Sequence, residues 1–114
     1  MKQKTWKAIQ TILSIIVVLA LFILSMACIT YYHEAAHQQI FNSYHINSTV
    51  EYDFLWLGGR TIAVDGESCL ECKALNNWND IIGYNIMAFV ISLWCLLWAY
   101  LIWTKSKEKK GGKK

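Results

Sequence analysis

The sequence contains no proline and, among its 114 residues, only three histidines and six glycines. More telling is where charge is missing. From Ala8 to Thr30, and again from Ile81 to Trp103, no side chain is charged, and each run is 23 residues long. A helix needs about 20 apolar residues to cross a bilayer core. A chain of this size cannot surround two such helices, which excludes a conventional soluble enzyme core. Basic residues are almost absent between the runs, where residues 31–80 hold seven acids against Arg60 and Lys73. The lysines lie outside the runs instead, at Lys2, Lys4 and Lys7 and from Lys105 to Lys114. The positive-inside rule then places both termini in the cytoplasm and the connecting segment outside. Aromatic residues agree, with Trp6, Trp98, Tyr100 and Trp103 at the inner interface and Tyr31, Tyr32, Trp78 and Tyr84 at the outer one. The formal charge of +3 is accounted for by this topology and by anionic lipid, so it argues against a nucleic-acid partner.

The expected fold class is a membrane α-helical hairpin: two transmembrane helices, the first extended beyond the membrane, with a small extracytoplasmic β-hairpin. The first transmembrane helix is expected at 8–30. With no Pro or Gly from Met26 to Ser43, it should continue to about residue 44. Residues 46–79 form the extracytoplasmic segment, and the second transmembrane helix covers 81–103. In TVEYDFLWL, residues 49–57, alternation of Val50, Tyr52, Phe54 and Trp56 with other side chains predicts a half-buried strand. Gly58-Gly59 then predicts a tight turn into RTIAV, giving a β-hairpin over 49–64. Residues 104–114, KSKEKKGGKK after Thr104, read as a disordered basic cytoplasmic tail. The first run is longer than the ~7–15 residues of a signal h-region, so it is read as a retained helix. Ser25-Met26-Ala27-Cys28 is only loosely similar to a lipobox, with Ser25 where Leu is preferred. Cys28 and Cys95 are read as packing residues.

Two of the three histidines stand together in TYYHEAAHQQIF, residues 30–41. His33 and His37 are four apart on a predicted helix, so both rings can aim at one metal ion. Glu34 beside them is placed to take a proton from metal-bound water. The competing reading is a pair of interfacial histidines with an incidental glutamate. A catalytic zinc usually has a third protein ligand and an open position. His45, Glu51, Asp53, Asp65, Glu67, Cys69, Glu71, Cys72 and Asp80 all lie in the right segment. Antiparallel helices bring the outer end of the first beside the start of the second, which selects Asp80. Expected in the first turn, Asp80 would also meet the favourable end of the helix dipole, or serve only as a helix N-cap.

These two segments resemble the gluzincins, thermolysin-like metallopeptidases in which a neighbouring antiparallel helix supplies a ligand Glu preceded by Asn. Asn79-Asp80-Ile81-Ile82-Gly83-Tyr84-Asn85 looks like a shortened version of that helix, with Asp80 in place of Glu and Tyr84 where an Asp is expected. The chain also resembles small two-helix membrane proteins of archaeal type with an HExxH…N-[DE]-I-x-G-Y arrangement. The resemblance implies zinc held by His33, His37 and Asp80, with Glu34 as general base. His45 is a candidate for stabilising the oxyanion, with Tyr52 and Arg60 as rivals.

The expected activity is that of a minimal membrane-anchored zinc metallopeptidase acting on peptides or proteins at the outer membrane surface. An edge of TVEYDFLWL could hold an extended substrate by strand addition. Homo-oligomerisation, by building a cleft between hairpins, would thicken the site. Two non-catalytic readings compete. Cys69-Leu70-Glu71-Cys72 with the two histidines makes a Cys₂His₂ set, a closed structural zinc site. An outward-facing loop favours a Cys69–Cys72 disulfide instead. The other is a holin-like or assembly hairpin, which has no need of so elaborate a connecting segment. Asn47-Ser48-Thr49 is a glycosylation sequon.

Overall fold

The computed structural model describes residues 2–66 and 69–111. Two long helices run side by side, joined by a two-stranded antiparallel sheet, in a rod of 69 × 24 × 15 Å. Helix α1 spans Lys2–Ser43, β1 Ser48–Tyr52, β2 Gly59–Ala63 and α2 Lys73–Gly111. With no proline to remove a hydrogen bond, α1 continues without a break through the motif that follows the apolar run. It ends in a Schellman motif. The Ile46 N–H donates to Phe41 O and the His45 N–H to Asn42 O, with His45 left-handed at φ 60°.

Both helices are long and apolar enough to cross a membrane, with mean hydropathies of 3.1 and 2.2 over their most apolar stretches. They bury little against each other. Among the described residues the only buried hydrophobic side chains are Met26 and Cys72. Midway along, Phe22 meets Trp94 edge-on at 5.6 Å, and the Trp94 indole N–H donates to Ser25 Oγ at 3.1 Å.

Three elements depart from the expected boundaries. Helix α2 begins eight residues before Ile81, propagating back through Lys73-Ala74-Leu75 to a turn closed by the Cys69–Cys72 disulfide. It also extends to Gly111, so residues 104–111 are helical rather than a disordered tail; residues 112–114 lie outside the described residues. Strand β1 stops at Tyr52 instead of continuing to Leu57. The chain turns through a short 3₁₀ segment, Phe54–Trp56, in which Leu55 and Trp56 are left-handed at φ 59° and 56°. The connection is therefore residues 53–58, closed by the Asp53 N–H donating to Gly58 O, rather than a tight Gly-Gly turn.

The register pairs Ser48 with Ala63 and Tyr52 with Gly59. Flanking bonds, Val64 N–H to Asn47 O and Asp53 N–H to Gly58 O, set the alternation of the ladder. Residues 60 and 62 therefore bond to β1, while the backbone N–H and C=O of Gly59, Thr61 and Ala63 point away from it. The same face of both strands lies on α1, with Gln38 Nε2 donating to Ser48 O and Tyr31 stacking on Tyr52.

Candidate metal centre

Helical spacing prepares the site before the helices meet. Thr30, His33, Glu34 and His37 lie on one side of α1, and Asn76, Asp80, Gly83 and Tyr84 on one side of α2. Where these faces meet, His37 Nε2 is 2.9 Å from Asp80 Oδ1 and His33 Nε2 is 3.3 Å from the same oxygen. The two Nε2 atoms are 3.2 Å apart. All three ligand atoms lie within 4.8 Å of one another, the one such cluster of His, Cys, Asp or Glu among the described residues.

Asn76 sets the orientation of His37. Its Oδ1 lies 2.8 Å from His37 Nδ1. A carbonyl oxygen only accepts, so Nδ1 carries the proton and Nε2 presents its lone pair. Nε2 and Asp80 Oδ1 are then two acceptors in contact, which repel unless a cation or a proton stands between them. A divalent metal satisfies that arrangement. It also makes Asn76 the outer partner that metal-bound histidines usually have. A proton between His37 and Asp80 satisfies it equally, either on an imidazolium that donates from both ring nitrogens or on the other neutral tautomer with the Asn76 amide turned over.

His33 is held differently. Its Nδ1 is buried without a hydrogen-bond partner, against Gly83. A Cβ at position 83 would collide with that nitrogen, so the absence of a side chain there is what admits the ring. Asn79 Nδ2 donates to the His33 carbonyl at 3.1 Å and ties the helices together at this level.

Glu34 is 4% exposed. The Thr61 hydroxyl, on β2, lies 2.7 Å from Glu34 Oε2 and 3.2 Å from the Glu34 carbonyl, and donates to them. A Cβ on Gly59 would come within 2.9 Å of Glu34 Cγ, so β2 approaches this closely only because Gly59 is bare. His33, Glu34, His37, Asp80, Thr61 and Tyr84 line one cleft of about 330 Å³ between β2 and α2.

Asp80 therefore sits in the cluster, but not for the reason the helix start suggested. With α2 beginning at Lys73, Asp80 lies inside the helix, which removes both the N-cap and the first-turn dipole argument. His45 is not brought to the cluster. It is exposed at the left-handed end of α1, eight residues or about 12 Å of helix rise beyond His37. Its place is that of a helix terminator. Glu51 pairs with Arg60 on the exposed face of the sheet, at 2.6 Å. Cys69 and Cys72 are joined to each other, so the Cys₂His₂ set is not assembled. The Asp65 side chain and Glu67 lie outside the described residues.

Of the rival oxyanion donors, Arg60 lines the cleft; so does Tyr84, expected as an interfacial aromatic and as the residue standing where the gluzincin helix has an Asp. Tyr52 instead stacks between Tyr31 and Trp56. Its phenol is pushed above its ordinary value, by burial first and then by Tyr31 and the Glu34 carboxylate. Asn76, Thr61, Gly59 and Gly83 were not anticipated. Asn76 had a sequence signal, standing four residues before Asp80 on the same helical face, and Gly83 stood in the segment 79–85 with no role assigned to it.

Comparison with known protein families, characterised proteins and solved structures finds no match to this chain.

Proposed function

We propose that the chain is a membrane-anchored zinc hydrolase that cleaves peptide bonds at the outer membrane surface. One observation carries the reading: three ligand atoms from two helices converge, with Glu34 held at the same cleft. Two histidines and a carboxylate with room for a water is the ligand set of catalytic zinc. His33, His37 and Asp80 would hold the ion, which would lower the pKa of a bound water to about 7 and polarise a carbonyl oxygen.

The chain's own residues supply the rest. Glu34, oriented by the Thr61 hydroxyl, takes the proton of the attacking water and returns it to the leaving amine. Tyr84 supplies a donor at the cleft wall for the developing oxyanion, while Arg60, held by Glu51 on the exposed face of the sheet, adds positive charge at the rim. The substrate backbone pairs with the free edge of β2, where Gly59 and Thr61 both line the cleft. That edge belongs to GRTIA, not to TVEYDFLWL, because β1 lies on the far side of β2.

The membrane placement is supported by the exposed apolar helix faces, which only lipid or another apolar surface can cover. Lysines at the two ends of the chain, which the hairpin brings to one end of the helix pair, support cytoplasmic termini.

The decisive test is Glu34→Gln in purified protein reconstituted in vesicles, assayed on a library of quenched fluorescent peptides. The variant should bind zinc like the wild type and lose at least ~100-fold in kcat/KM, the lower range for a lost general base. Cleavage that survives Glu34→Gln sinks the assignment of Glu34. The proton-bridged arrangement is the second reading, favoured if the wild type binds no zinc at any concentration and Asn76→Asp leaves the helix pair intact.

A further inference from the structure

The most exposed apolar segment outside the helices is the turn between the strands. Phe54 is 87% exposed, and Leu55, Trp56 and Leu57 are also exposed. Four consecutive large apolar side chains in water are a liability, and two of them hold left-handed backbone that Gly or Asn would adopt more easily. The turn therefore keeps apolar residues where local conformation disfavours them.

Its position suggests what covers it. Strand β1 starts at the level of Gln38, where Ser48 O is bonded, and runs back along α1 to Tyr31, where Tyr52 stacks. Gly58 and Gly59 line a small cavity of about 100 Å³ with Ile29, Thr30 and Met87. Thr30 is the last residue of the expected first transmembrane run, 8–30. The hairpin thus points back toward the apolar halves of the helices, and the turn lies at the edge of them. Asp53, whose N–H closes the loop onto Gly58 O, marks the boundary between the charged strand pair and the apolar tip.

We propose that Phe54–Leu57 is a lipid-inserting anchor, which seats the hairpin in the headgroup region beside the helix pair. The inference rests on the membrane part of the proposed function and is independent of catalysis. Phe and Trp with Leu are suited to the boundary between headgroups and acyl chains. Because β2 leaves this same tip and lines the cleft, insertion fixes the cleft mouth at the bilayer surface. Substrates reaching it would be juxtamembrane or membrane-bound segments rather than free globular proteins.

Nitroxide labels at Phe54→Cys and Trp56→Cys, in a Cys28→Ser/Cys95→Ser background in phosphatidylcholine vesicles, test the proposal. Collision with oxygen and with a water-soluble nickel chelate reports the depth of each label. Leu93→Cys on α2 serves as the lipid control and Thr49→Cys at the far end of β1 as the aqueous one. The expected result is tip labels that favour oxygen over the chelate, as Leu93 does, with Thr49 the reverse. Tip labels open to the chelate while Leu93 stays in lipid would overturn the anchor and leave the membrane reading standing. Labels shielded from both reagents would mean a protein partner and would also overturn it. A chelate-accessible Leu93 would remove the membrane reading itself.

Discussion

The two ends of the helix pair are built on different principles. At the end that carries the sheet, His37 reaches Asn76 and Asp80, His33 reaches Asp80, and Asn79 reaches the His33 carbonyl. At the other end an open cleft of about 650 Å³ lies between the helices, lined by Lys7, Gln10, Ser14, Trp98 and Lys105 among others. Between them the described cross-helix polar contact is Trp94 to Ser25. Apolar faces specify little beyond proximity, whereas directional bonds specify register. The cluster is therefore the feature that sets how α2 lies on α1, and the apolar halves need only be compatible with it.

The comparison can be broken from the sheet end with a single methyl group. Gly83→Ala places a Cβ against His33 Nδ1, so the ring must move. We expect zinc affinity to fall by at least as much as when a supporting residue is lost, on the order of 100-fold. Isothermal titration in detergent measures it. Unchanged affinity would mean that His33 is not a ligand.

Asn76→Ala gives a smaller effect. It leaves all three ligands and removes only the partner of His37 Nδ1, so a loss of about 10–100-fold in zinc affinity is expected. A competition assay with a chromogenic chelator reads this. An effect below about twofold would assign Asn76 to helix packing alone.

The smallest effect belongs to the apolar half. Ser25→Ala removes the acceptor of the Trp94 bond, and such interhelical bonds are worth about 0.6 kcal/mol on average. Zinc affinity should be unchanged, and steric-trap or denaturant unfolding in micelles should show only that small loss. A large fall in zinc affinity from Ser25→Ala would contradict the division between the two ends.

The same division explains what was legible in the sequence. The two helices show in their charge-free runs, and His33, Glu34 and His37 in their spacing, because both are local patterns. Asp80 was reachable through antiparallel topology, although its expected place in the first turn was wrong. Local pattern also misled. Alternation in Val50, Tyr52, Phe54 and Trp56 continues past Tyr52, yet the backbone turns there through left-handed Leu55 and Trp56, with no Gly or Asn to announce it. His45 has the chemistry of a catalytic residue and the position of a helix terminator. Thr61, Gly59 and Gly83 act through contacts across the fold, which no spacing rule encodes. Nor did pattern indicate which strand faces the cleft; that follows from the placement of β2 between β1 and α2.

The central claim is that His33, His37 and Asp80 hold one zinc ion. X-ray absorption at the zinc edge, on purified wild type and on His37→Ala, tests it most directly. The account predicts one zinc per wild-type chain, with two imidazoles and only nitrogen or oxygen donors at about 2.0–2.2 Å. The His37→Ala protein should carry less than a tenth of that metal. Sulfur scattering at about 2.3 Å would instead assign the metal to Cys69 and Cys72, and a metal-free wild type would leave the cluster as a proton-bridged helix clasp.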